Sequence, residues 1–286
     1  MSAMLRTHEF HVGEVLIGGN RPLVLIAGPC VIESEEHCQF LAKEIQAVAH
    51  RCQVPFIFKA SFDKANRTSL DSFRGPGLHE GLRILNSIRK QLAVPILTDI
   101  HEVNQIELVA AEIDCIQIPA FLCRQTDLLL AAAKSGRAIN VKKGQFLAPW
   151  DMEQVVKKLA RNGCQQILLT ERGTSFGYNN LVVDIRSLAV MRGIGYPVLF
   201  DVTHSLQLPG GLRDTSGGQS QYIEVLARAG VAAGIDGLFM EIHENPPKAL
   251  SDGPNSLPLE RLEILLKDVK RIDRIVKEMA ESSGHS

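Results

Sequence analysis

The run Pro95-Ile-Leu-Thr-Asp-Ile-His-Glu-Val-Asn-Gln-Ile-Glu-Leu-Val-Ala-Ala-Glu-Ile-Asp-Cys-Ile-Gln-Ile-Pro119 decides the fold. It opens on a short apolar segment, Pro95–Asp99, that stops at a carboxylate. Apolar residues at helical spacing follow over Asn104–Ala111, and a second apolar segment, Cys115–Pro119, closes the unit. Segments this short and this continuously apolar suit strands covered on both faces, as in a parallel sheet. A helix between two of them is the crossover that parallel pairing requires.

The unit recurs in both directions. Strand-like runs lie at Leu23–Ala27, Pro55–Lys59, Pro95–Asp99, Cys115–Pro119, Ala138–Lys142, Ile167–Glu171, Pro197–Asp201 and Gly237–Glu241. Helical patterns fall at Glu35–Arg51, Gly77–Gln91, Asn104–Ala111, Thr126–Ser135, Pro149–Asn162, Gln221–Gly234 and Pro258–Met279. Ser34 is a candidate N-cap, and Gly136 and Gly163 stand where helices should stop. The alternation predicts a single α/β domain over residues 1–286, a (β/α)8 TIM barrel, for which 286 residues is an ordinary length. Residues His11–Gly19 predict a short N-terminal hairpin that caps the bottom of the barrel.

Bulk properties narrow the function. A hydrophobic fraction of 45% supports a large core, and a net charge of −1 provides no global field for nucleic acid or anionic membrane. The opening residues lack the apolar core of a secretory signal, and no run is long enough to span a bilayer. The six cysteines are scattered without a CxxC pair, which predicts reduced thiols and a cytoplasmic location.

In a TIM barrel the chemistry sits at the C-terminal ends of the strands. Here those ends carry Cys30, Lys59, Asp99, Gln117, Lys142, Glu171 with Arg172, Asp201 with His204, and Glu241. Desolvating so many ionisable groups together is unfavourable unless they are paired or bind something. Five cations, Lys59, Lys64, Arg67, Lys142 and Arg172, are expected to converge on a small polyanion bearing two phosphates, or a phosphate and a carboxylate. Cys30, His204, Glu241 and Asp252 follow strands 1, 7 and 8, neighbours once the barrel closes. One thiolate, one imidazole and two carboxylates suit a divalent transition metal, although no local metal motif marks them.

Eight stretches resemble the 3-deoxy-D-manno-octulosonate 8-phosphate synthase family: IAGPCVIES (26–34), FKASFDKANRTS (58–69), TDIHE (98–102), IQIPAFLCRQTDLL (116–129), NVKKGQFLAPWDM (140–152), LTERGTSFGYNNLVVD (169–184), DVTHSLQLPGG (201–211) and ALSDGPNSLPL (249–259). The match runs in order from about residue 23 to 265. The resemblance implies condensation of phosphoenolpyruvate with D-arabinose 5-phosphate and water. It matches Lys64, Lys142 and Arg172 to the phosphoenolpyruvate site, with Gln117 and Lys59 lining the same pocket. It matches Asn66 and Arg67 to the arabinose 5-phosphate site, Arg67 reaching across a subunit boundary, which implies a homotetramer. Cys30 and Ser251 resemble the branch that uses one divalent metal ion per subunit (Fe²⁺, Zn²⁺, Mn²⁺ or Co²⁺), held by Cys30, His204, Glu241 and Asp252.

Lys142, Asp99, His204 and Asp252 are the candidate catalytic residues. His204 and Asp252 stand as ligand or acid–base group. Asp99 and His101 stand as groups orienting water or substrate, or as a helix cap at the strand turn. Whether the metal activates water or polarises the aldehyde stays open at this level. Three rivals remain on the residues alone: the related heptulosonate 7-phosphate synthase using erythrose 4-phosphate, a Schiff-base aldolase using Lys142 or Lys59, and a non-catalytic sugar-phosphate-binding regulator.

Overall fold

The computed structural model describes residues 6–66, 69–210 and 217–283. Eight parallel strands close into a barrel: β1 (Val24–Gly28), β2 (Phe56–Lys59), β3 (Ile96–Asp99), β4 (Cys115–Ile118), β5 (Ala138–Lys142), β6 (Ile167–Glu171), β7 (Val198–Asp201) and β8 (Gly237–His243). Each pairs with the next in sequence, and β8 returns to β1 with Gly237 opposite Val24 and Glu241 opposite Gly28. All eight expected strands are present. Their helices are α1 (Glu35–Cys52), α2 (Leu78–Leu92), α3 (Ile106–Glu112), α4 (Thr126–Ala133), α5 (Met152–Ala160), α6 (Arg186–Arg192), α7 (Ile223–Ala232) and α8 (Leu262–Ser283).

Helix α6 is the element that periodicity did not reveal. It spans 7 residues and stands alone, whereas the equally short α3 continues a 3-10 turn over Val103–Gln105 that lengthens its pattern. Ser34 does cap α1, its hydroxyl oxygen accepting a hydrogen bond from the His37 N–H at 3.1 Å. Gly136 and Gly163 follow α4 and α5 at φ of +72° and +95°, a region open to glycine.

The strands' two-residue period sets the interior in layers. The lower layer is Ile26, Ile57, Leu97, Cys115, Ala138, Leu168, Leu199 and Phe239, one from each strand. Phe10–Val12 and Val15–Ile17 form the expected antiparallel hairpin, and Phe10, Val12 and Ile17 pack beneath this layer. Two residues further along each strand the interior turns polar: Lys59, Asp99, Gln117, Asn140, Thr170, Asp201 and Glu241, all buried, with Gly28 completing the ring. A second, larger apolar core lies between the strands and the helices.

The cysteines are all unpaired and buried. Burial pushes the thiols of Cys38, Cys52, Cys115 and Cys123 above their usual range and that of Cys164 to about 11. Since the thiolate is the nucleophile, native protein at pH 8 should react with fewer than about one equivalent of Ellman's reagent within minutes. Six equivalents should react in guanidinium chloride. Rapid titration of several thiols in native protein would contradict this packing.

Candidate active site

The strand ends open onto a cavity of about 670 Å³ at the top of the barrel. Lys59, Lys64, Asn66, Asp99, Gln117, Lys142, Arg172, His204, Glu241 and Asp252 all line it. Arg67 lies outside the described residues. The sequence-based set is thus brought together from seven strands and the loops that follow them, with Cys30, after the remaining strand β1, immediately behind Asp252.

The cations are not equivalent. Lys59 Nζ donates to Glu241 Oε1 at 2.8 Å and to the Cys30 carbonyl at 3.0 Å, and both ionic side chains are 1% exposed. Lys142 Nζ pairs with Asp201 Oδ2 and lies 3.7 Å from the centre of the Phe239 ring. Burial holds the Lys142 pKa below its usual value against the pull of Asp201 and Glu241. Lys64 donates to Ser61 Oγ at 3.0 Å. Burial opposes its charge, yet Cys30, Asp99, Glu241 and Asp252 together raise its pKa. Arg172 Nη2 donates to Gln207 Oε1 at 3.1 Å, while its buried Nη1 has no hydrogen-bond partner among the described residues. Two of these four cations are therefore neutralised inside the protein, and Lys64 and Arg172 are those facing the cavity without a carboxylate hydrogen-bonded to them.

Asp99 Oδ2 and His101 Nε2 are 3.1 Å apart, and the other polar atom of each ring or carboxylate, Asp99 Oδ1 and His101 Nδ1, is buried without a partner among the described residues. Burial alone would raise the Asp99 pKa; the His101 hydrogen bond, Lys64 and Lys59 hold it below the carboxylate range. This pairing differs from a helix cap: neither group bonds the backbone of the turn that begins α3. Gln117 accepts from Asn140 Nδ2 at 3.1 Å, and Asn140 accepts from Thr170 Oγ1 at 2.6 Å, so the polar ring is cross-tied over β4, β5 and β6.

Cys30, His204 and Asp252 form a group able to hold a metal ion, their ligand atoms lying within 4.8 Å of one another. Cys30 Sγ is 3.0 Å from Asp252 Oδ2 and 2.9 Å from Ser251 Oγ; His204 Nε2 is 3.6 Å from Asp252 Oδ2. His204 Nδ1 bonds Asp201 Oδ2 at 2.8 Å, which directs its other nitrogen toward the group, the arrangement usual for a ligating imidazole. Glu241 stands beside the group, 3.7 Å from His204 Nδ1. Its Oε1 is committed to Lys59, while Oε2 is buried without a partner among the described residues. A thiol, an imidazole and carboxylates, with an orphaned carboxylate oxygen at hand, fit a borderline-soft divalent ion.

A second group, Glu33, His37 and His243, has similar spacing. There the Asn245 N–H donates to His243 Nδ1 at 2.8 Å, so a neutral ring keeps its proton on Nε2, facing Glu33 Oε1 at 3.5 Å. That tautomer has no lone pair to offer a metal.

The sequence reading passed over Gln145 and Gln207, which also line the cavity. Gln207 joins Arg172 to Asp252, its Nε2 donating to Asp252 Oδ1 at 3.1 Å. Neither sits at a strand end, the one signal the sequence offered. Asp201 did sit at one, but its roles toward Lys142 and His204 emerge only from the geometry.

Comparison with known proteins places the chain. Its residues 4–278 match the sequence model of the DAHP synthetase I family. The protein named 2-dehydro-3-deoxyphosphooctonate aldolase from Geotalea daltonii is 61% identical over 269 residues, covering 94% of this chain and 99% of the relative. Its namesake from Geobacter metallireducens is 59% identical over 271 residues, covering 95% and 100%. With matches of this extent, the chain belongs to the DAHP synthetase I family, among its 2-dehydro-3-deoxyphosphooctonate aldolases.

Proposed function

We propose that the protein condenses phosphoenolpyruvate with D-arabinose 5-phosphate and water, giving 3-deoxy-D-manno-octulosonate 8-phosphate and inorganic phosphate. The observation that carries this reading is one cavity holding Lys64 and Arg172 without a carboxylate hydrogen-bonded to either, beside the Cys30–His204–Asp252 group. The relatives' names favour the eight-carbon product over the seven-carbon one. Among the described residues no helix is long and apolar enough to cross a membrane.

Arg172, through its unpartnered Nη1, and Lys64 bind the phosphate and carboxylate of phosphoenolpyruvate, and Lys142, its charge shared with Asp201, lines the same pocket beside them. Gln117 and Lys59 shape the floor, Lys59 chiefly by holding Glu241. Asn66 and Arg67 take the sugar phosphate, Arg67 from a neighbouring subunit of a homotetramer. Held this way, C3 of phosphoenolpyruvate faces the aldehyde carbon, and orientation removes much of the barrier. The C3–C1 bond forms, the aldehyde oxygen gains a proton, and water adds at C2 with loss of a proton. The resulting hemiketal phosphate then expels phosphate by C–O cleavage. Asp99 holds His101, and the pair orients the attacking water, consistent with their buried atoms unpartnered among the described residues. A divalent transition ion held by Cys30, His204, Asp252 and Glu241 supplies Lewis-acid polarisation of a nearby oxygen when bound. One barrel domain in the cytoplasm carries the whole activity.

Phosphate release with each aldose phosphate tests the substrate directly. Arabinose 5-phosphate should give at least ten times the kcat/KM of erythrose 4-phosphate, a discrimination of about 1.4 kcal/mol. Equal values would defeat the assignment. Borohydride with substrate should leave Lys142 and Lys59 unmodified; trapping of either would instead establish a Schiff base.

Arg67→Ala should raise KM for the sugar and leave phosphoenolpyruvate affinity near that of the unaltered protein. Loss of a charge-assisted phosphate contact corresponds to about 1.5–3 kcal/mol. Calorimetry showing phosphoenolpyruvate binding lost instead would assign Arg67 to the other substrate.

Exhaustive chelation should abolish turnover, and Mn²⁺, Fe²⁺, Co²⁺ or Zn²⁺ should restore it where Mg²⁺ restores little, because a thiolate–imidazole set favours softer ions. His204→Ala should lose both metal content and activity. Cys30→Asn should bind metal weakly. Full activity of metal-free protein would refute the metal assignment.

A further inference from the structure

Lys143 neighbours a proposed substrate ligand but faces the other way. Lys142 reaches the cavity; Lys143, one residue on, is fully buried outside it. A buried ammonium with no role would be strongly destabilising. Its Nζ lies 3.1 Å from Thr174 Oγ1 and 3.4 Å from each of the Gly144, Leu147 and Gly173 carbonyls. Glu171 Oε1 is also 3.4 Å away. Gly144 and Leu147 belong to the loop after β5, and Gly173 and Thr174 to the loop after β6. One ammonium therefore gathers oxygens from both loops.

Glu171 extends the tie. Its Oε1 accepts from the Arg172 and Gly173 N–H groups at 3.0 and 2.7 Å, and its Oε2 from Ser187 Oγ at 2.7 Å. The backbone beneath Arg172 is thus held by a carboxylate that is itself paired with Lys143. Among the described residues, the Arg172 guanidinium has one side-chain hydrogen bond, to Gln207. With so little holding the guanidinium itself, its position depends on that backbone.

We infer that Lys143 is a positioning residue, which locks the loop after β5 to the loop after β6 and so sets Arg172 for anion binding. The inference rests on the proposed function for its kinetic arm only. In Lys143→Met, hydrogen exchange should show residues 144–147 and 172–175 losing protection together. KM for phosphoenolpyruvate should rise at least ten-fold, while KM for arabinose 5-phosphate stays within two-fold. Unchanged protection, loss in one loop alone, or a parallel rise of both KM values overturns the inference. Should Lys143→Met fail to fold, Thr174→Val and Ser187→Ala each weaken one end of the tie and should raise KM for phosphoenolpyruvate two- to five-fold; no change in either overturns it. If the unaltered protein turns over neither aldose phosphate, the functional reading fails separately. The inference is then decided by coupled exchange in the two loops, measured in Lys143→Met or, if that does not fold, in the two weaker variants.

Discussion

Lys59 and Glu241 meet 2.8 Å apart inside the barrel, on strands separated by β1. Gly28 lies between them in the polar ring. A Cβ at Gly28 would stand 1.9 Å from the backbone carbonyl oxygen of Lys59, so no side chain fits there. Lys59 reaches past β1 to Glu241 and also ties the carbonyl of Cys30. The ion pair thus fixes the start of the β1–α1 connection, which delivers Cys30 to Ser251 and Asp252. Breaking one partner of such a buried pair typically costs about 3–5 kcal/mol, because the other charge is left desolvated.

The same logic repeats around the ring. Lys142 with Asp201, and Lys143 with Glu171, each bring charge into the interior only together with its opposite. Asp201 also orients His204, so a pair that stabilises the barrel prepares the candidate metal group as well. Structure and chemistry share these side chains, and a single substitution among them disturbs both.

Much of this was legible in the sequence. The eight strands declared themselves as short apolar runs, and the polar residue closing each run marked the rim of the site. Helix α6 did not, because its seven residues stand alone, whereas the equally short α3 continues a 3-10 turn. The cation count was correct in kind but excessive in effect: Lys59 and Lys142 are neutralised by residues 182 and 59 positions away, and nothing local advertises such partners. Lys143 was overlooked beside Lys142, although strand alternation already sends adjacent residues to opposite faces. The approach of Asp252 to His204 was legible only through the closure of the barrel, which makes the loops after β7 and β8 neighbours; no local spacing marks it.

The N-terminal hairpin has a consequence for traffic. Among the described residues, Phe10, Val12 and Ile17 lie under a floor of Ile26, Ile57, Leu97, Leu168, Leu199 and Phe239. That stack offers no hydrogen-bonding route for water or protons from below. Every reactant, every proton exchanged with bulk solvent and every departing anion must use the rim. A ligand seated deepest has to arrive first and leave last, and whatever binds above it is also its lid.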